Sequence, residues 1–178
     1  MQNQSLNPEG ELKLNNDSAQ KYLTKLIELT SQKLSVLAEV ADLCIAQQKH
    51  IMDDRIDELE ASVGQKQAYI DKIKLLDEQY EVYFKRMKFE LKIKNMEELI
   101  HKNICSDLIC DLKAYTAKVL DLTSSITEYE RKNQMLIEQF MEEIKKDLNL
   151  INNSKKLGGA YTPTGSAGQS SYFIDSKK

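Results

Sequence analysis

The chain has 178 residues, of which 30% are charged, with no Trp, six Gly and two Pro. A composition so rich in helix formers and poor in turn formers, at about one domain's length, excludes β-sandwiches and α/β enzymes and fits a helical bundle or coiled coil. The 25 basic and 28 acidic residues leave a net charge of −3 and alternate along the chain, which argues against nucleic acid or an anionic membrane as partner.

The polar opening MQNQSLNPEGELKLNN lacks the basic-then-apolar layout of a signal peptide. No uncharged apolar run reaches the roughly 18 residues of a membrane span, so a cytoplasmic protein without stable membrane insertion is expected. Cys44, Cys105 and Cys110 are an odd set without framework spacing, as suits a reducing compartment.

Residues 1–16 read as a flexible arm and residues 17–153 as the helical domain, opening at NDSAQKYL, where Asp17 is the expected N-cap and Gln20 completes a capping box. A heptad seam follows through Leu23, Ile27, Thr30, Leu34, Leu37, Ala41, Cys44, Gln48 and Ile51. Leu26, Val36, Val40 and Leu43 flank it, so this helix should touch more than one neighbour.

The rhythm breaks at HIMDDRIDEL, where Asp54 is the expected cap of a second helix with the seam Ile56, Leu59, Val63, Lys66, Ile70, Ile73, Asp77, Tyr80, Phe84 and Met87. Tyr69, Leu76 and Tyr83 line its shoulder. The charged Lys66 and Asp77 cost stability on a seam but can fix register. A loop is expected near 89–95, because Asn95 and Glu98 form another capping pattern in FELKIKNMEELI.

The third seam runs Leu108, Leu112, Tyr115, Val119, Leu122, Ile126, Tyr129, Asn133, Ile137, Met141, Ile144, Leu148 and Ile151. Its steps of four from Tyr129 to Met141 are a stutter that realigns the drifting stripe. Leu136 and Phe140, about 60 to 100° to one side, widen the apolar arc there. With helices of about 35, 35 and 45 residues in an up-down-up bundle, the third is expected to overhang by roughly 15 Å. Residues 154–178 hold four of the six Gly and several Ser, the mark of a flexible tail, with Tyr161, Tyr172 and Phe173 upon it.

The chemistry-bearing residues do not assemble into a reactive set. His101 and Cys105 share a helix face, but Cys110 lies about 180° from His101, so a metal would also need distant Cys44 and His50; Cys44 and Cys105 read as core and Cys110 as surface. Phosphate loops, nucleophile elbows and HExxH patterns are missing, and no enzyme activity, cofactor or metal is expected. Tyr69, Tyr80, Tyr83, Tyr115 and Tyr129 have no basic stripe beside them and read as bundle residues whose hydroxyls reach water. Asn133 is a register-setting polar residue or a hydrogen-bonding group for a visiting helix.

The stretch from LIELTSQKLSVLAEV to KIKLLDEQY, then ERKNQMLIEQFMEEIKKDLNLI, then a Gly/Ser tail ending YFIDSKK, resembles the FlgN family of flagellar export chaperones, particularly those of Gram-positive bacteria. The resemblance covers about residues 20–178. It implies a non-enzymatic cytoplasmic helical chaperone that binds the C-terminal amphipathic segments of hook-associated (hook-filament junction) proteins, prevents their premature assembly and passes them to the type III export apparatus. Carried over by position, the client surface is Asn133, Leu136, Ile137, Phe140, Met141, Ile144 and Leu148. The alternative is a structural coiled-coil scaffold, such as a homodimer, that self-associates through the same face.

Overall fold

The computed structural model describes residues 8–101 and 104–160. It contains α1 (Pro8–Met52), α2 (Ile56–Glu90), the short α3 (Glu97–His101) and α4 (Ser106–Ala160), with no strand among the described residues. The protein is an all-α helical bundle of three long helices, as expected, plus one short helix in the last connection. The chain divides into two compact units, Met1–Ile137 and Glu138–Lys178.

In the first unit, cross-links between helices give the topology. Tyr22 donates to Glu90 at 2.5 Å, Lys33 pairs with Asp77 at 2.7 Å, and Lys66 donates to Gln47 at 2.5 Å. As numbers rise along α1 they fall along α2, so the two are antiparallel. Cys105 Sγ donates to Asn16 Oδ1 at 3.0 Å and Asn133 Nδ2 to the Cys44 carbonyl at 2.9 Å, so α4 runs alongside α1 in the same direction. The expected up-down-up order holds, and α1 meets both other long helices.

Burial is uneven along this unit. The larger core joins Leu23 and Leu26 of α1, Met87 of α2, Leu91, Ile93 and Leu99 of the connection, and Ile109 and Leu112 of α4. A smaller cluster sets Leu29 and Val36 against Leu76, with Tyr69 and Ile73 packed on it. Dense apolar packing therefore gathers where the α2–α4 connection closes the bundle.

Both ends of α2 are set by backbone geometry rather than by a side-chain cap. Asp54 takes φ 55°, which lets Arg55 N–H reach the His50 carbonyl at 2.9 Å and Asp54 N–H the Ile51 carbonyl at 3.4 Å. That is a Schellman closure of α1, in which the left-handed residue frees the chain to turn back while satisfying terminal carbonyls. Asp54 thus ends α1 instead of capping α2, whose N-cap Arg55 makes no side-chain cap bond. The pattern repeats at Lys92, φ 51°, where Ile93 N–H bonds the Lys88 carbonyl at 3.1 Å and Lys92 N–H that of Phe89 at 3.4 Å. Asn95 caps as expected, its Oδ1 accepting the Glu98 N–H at 3.2 Å.

Three further expectations are corrected. Helix α1 starts at Pro8, a residue suited to a first helical position, so Asp17 lies inside the helix and is not its cap. On α2, Ile56, Val63 and Ile70 of the expected seam are exposed, because the row Tyr69, Leu76 and Tyr83 packs towards α1 and rotates the buried stripe. Helix α4 continues past residue 154, where the tail was expected, to Ala160. Tyr161, Tyr172 and Phe173 lie outside the described residues, as do residues 1–7 of the expected arm.

The second unit is helical from Glu138 to Ala160. Within it Phe140 is half-buried and every side chain from Met141 to Lys155 is exposed.

Candidate partner-binding site

The third seam changes character along α4. Leu112 and Val119 are buried, Tyr115, Leu122, Ile126 and Tyr129 are half-buried, and Asn133 is again buried. These are the inward positions of a bundle helix, and Thr116 and Thr123 hydroxyls beside them donate to the carbonyls of Leu112 and Val119, four residues back.

Asn133 belongs to a polar layer that joins all three long helices. Its Nδ2 is committed to the Cys44 carbonyl of α1. One turn back on α4, Glu130 Oε1 accepts from Lys66 Nζ of α2 at 2.5 Å and from Cys44 Sγ at 3.0 Å, and Lys66 also donates to Gln47. Burial opposes the Glu130 charge, but the hydrogen bonds from Lys66 and Cys44 outweigh it and hold the carboxyl below its usual range. Burial first, and then the bond to Glu130, push the Cys44 thiol up to about 12. That thiol is a poor nucleophile. Asn133 and Lys66 are thus register-setting polar residues, and Asn133 drops out of the expected client surface because it is buried and bonded to α1.

The other expected surface residues are placed differently. In the first unit Leu136 is half-buried and Ile137 is exposed. In the second unit, Met141, Ile144, Leu148 and Ile151 continue at steps of three and four and are 38 to 58% exposed. Phe140, half-buried, flanks them. Residues three and four apart share a helix face, so these side chains form one apolar row along α4. Leu150, 67% exposed, was missed by the sequence reading because it falls off that row.

Across the helix the row is bordered by Glu142, Glu143, Lys145, Lys146 and Asp147, all exposed. Lys145 and Glu142 pair at 3.7 Å, an exposed contact of little weight for stability. An amphipathic helix with a solvated charged face and an uncovered apolar face can bury the latter against another amphipathic helix.

Two other features bear on chemistry. An open hollow of about 310 Å³ in the first unit is lined by Tyr80, Met96, Ile109, Leu112, Lys113, Thr116, Ala117 and Leu120. It holds no paired acid and base. Among the described residues no three His, Cys, Asp or Glu side chains gather as a metal site. Cys44 is buried, Cys105 half-buried and Cys110 exposed, matching their expected core and surface roles. No described helix is long and apolar enough to cross a membrane.

Residues 22–169 match the family model described as FlgN protein. No curated protein and no solved structure matches the chain.

Proposed function

The chain belongs to the FlgN family of flagellar export chaperones, and on that premise we propose that its clients are hook-associated proteins, held by their C-terminal amphipathic segments on the apolar row of α4. The surface is Phe140, Met141, Ile144 and Leu148 of the second unit, continued by Ile151; Leu136 and Ile137, the last apolar residues of the first unit, precede it in sequence. The observation that carries the reading is the exposure of Met141, Ile144, Leu148 and Ile151 on one helical face.

The energetic argument is simple. Covering the exposed part of each aliphatic side chain is worth about 1 kcal/mol, so several together offset part of the cost of association, and a client helix gains the same from its own apolar face. A client so covered cannot use that face to assemble. Its delivery to the export apparatus follows from release of a reversible helix-in-groove contact rather than from any covalent step.

The test is binding of a C-terminal peptide from a hook-associated protein, compared with a scrambled peptide of the same composition. Phe140→Asp with Ile144→Asp is expected to weaken the authentic peptide at least tenfold while leaving helicity by circular dichroism intact. Equal binding of authentic and scrambled peptides, or an unaffected double variant, overturns the client assignment. A stable oligomer that the peptide cannot dissociate points instead to the scaffold reading.

A further inference from the structure

Helix α2 carries a second apolar row, on the side that faces away from the bundle. Leu75, Val82 and Phe89 lie seven residues apart and are 54, 48 and 85% exposed. At 100° per residue they sit roughly 150° round the helix from the row Leu59, Lys66, Ile73, Tyr80 and Met87, which faces the bundle. A solvated helix face needs no such stripe, and the described residues leave Phe89 85% exposed.

The charges around it change along its length of about 21 Å. Beside Leu75 acid and base are mixed: Asp71, Lys72, Lys74 and Glu78. Beside Phe89 they are one-sided, with Lys85, Arg86, Lys88, Lys92 and Lys94 against Glu90 alone. Glu90 is occupied by the Tyr22 hydroxyl. Lys85 pairs with Glu81 and Lys88 lies 5.5 Å from the Phe84 ring, while Arg86, Lys92 and Lys94 are exposed. Basic residues at a helix C-terminus offset its dipole, but that effect fades within the last turn and accounts for neither Lys94 nor the phenyl ring.

Lys92 lies in the turn that closes α2. It occupies the left-handed position of the Schellman closure at φ 51°, a conformation costing an L-residue roughly 1 kcal/mol that glycine would avoid. Lys92 thus places its cation one turn after Phe89, the most exposed aromatic side chain described.

We propose that the Leu75–Val82–Phe89 face of α2 is a second docking surface, taking an acidic amphipathic segment of a partner protein with Phe89 as its anchor. Apolar side chains of the partner cover the row, and its carboxylates meet Arg86, Lys92 and Lys94. An anionic lipid surface fits less well. Asp71 and Glu78 flank Leu75, and a flat anionic surface lying along the whole row has to meet them, whereas a segment can place its own basic residues there. This surface lies on a different helix from the client row, so each stands or falls separately.

The chain contains no Trp, so Phe89→Trp installs a single indole reporter in the full-length protein. The probes are a synthetic 21-residue helical peptide with Leu at heptad positions and Glu elsewhere on its flanks, the same peptide with Lys in place of Glu, and vesicles containing 30% phosphatidylglycerol. The expected result is a blue shift with saturable binding for the acidic peptide alone. Binding should weaken at least tenfold with Arg86→Glu and Lys92→Glu, and again with Leu75→Asp and Val82→Asp, all at unchanged helicity. The proposal is overturned by the absence of a shift with the acidic peptide, by equal binding of the basic peptide, or by vesicles shifting the emission as much as the peptide does.

Discussion

At the scale of single residues, the polar layer sets what chemistry the bundle permits. Glu130 is held below its ordinary value chiefly against the opposing effect of burial, by Lys66 and Cys44. A carboxyl depressed in the folded state contributes stability above its unfolded pKa and loses it as pH falls through the folded value. The first unit should therefore lose stability on acidification below about pH 4.5, and the Glu130→Gln variant should show a shallower loss in urea titrations followed across that range. A variant with the wild-type pH dependence would remove Glu130 from the explanation. The Lys66 side chain is 15% exposed and that of Glu130 43%, so solvent already screens the pair and Lys66→Met should cost only about 1 kcal/mol. Cys44 runs in the opposite sense: its raised thiol stays neutral and buried, whereas Cys110 is exposed to reagent. Iodoacetamide at pH 8 should label Cys110 first, with Cys44 modified only after denaturant is added, as read by peptide mass spectrometry. Fast labelling of Cys44 in the native chain would mean that the layer opens readily.

At the scale of elements, the turns rather than the caps decide where the helices stop. Asp54 supplies a left-handed residue where Gly is the usual choice, so Asp54→Gly should relieve backbone strain. The gain is partly offset by the greater freedom of Gly in the unfolded chain, leaving about 0.5 kcal/mol of stabilisation. Chemical denaturation should show the midpoint move up without a change of slope; a lower midpoint would show that the Asp54 side chain contributes something to the turn. The same turns show what heptad reading sees and misses. The α1 seam was legible because α1 is covered by both α2 and α4, so nearly every apolar position on its wide stripe is at least half-buried. On α2 two adjacent stripes were equally apolar, and periodicity had no means of choosing between Ile56, Val63, Ile70 and the shoulder Tyr69, Leu76, Tyr83. Packing against Leu29 and Val36 made the choice. Asp54 was misplaced because a capping residue and a left-handed C-terminal residue share the same chemistry in sequence. The apolar row of α4 was legible as a continuous stripe, but the burial of Asn133 depended on where α1 offers its Cys44 carbonyl, which no local pattern encodes. The one-sided charge at 85–94 was hidden by the near-neutral total.

At the scale of the whole molecule, the two units differ in what holds their backbone in place. In the first, amides of α1 and α2 lie over side chains packed in the larger and smaller cores, so their exchange requires opening of the bundle. In the second, the helix from Met141 to Lys155 has exposed side chains throughout, and helix propensity alone gives a segment of that length marginal stability in water. Hydrogen exchange of the free chain should accordingly show α1 and α2 protected by orders of magnitude over residues 141–155. A client peptide that covers the row at Met141, Ile144 and Leu148 must suppress local fraying by mass action, because it binds only the helical form. At a hundredfold excess over its dissociation constant it should slow exchange in 141–155 by roughly a hundredfold and leave α1 little changed. A self-associating scaffold makes a different demand: protection of 141–155 should already be present in the free chain and should fall on dilution. Exchange in this segment that neither the peptide nor the protein concentration alters would remove the apolar row from both readings, and its exposure would then have to be explained without a partner.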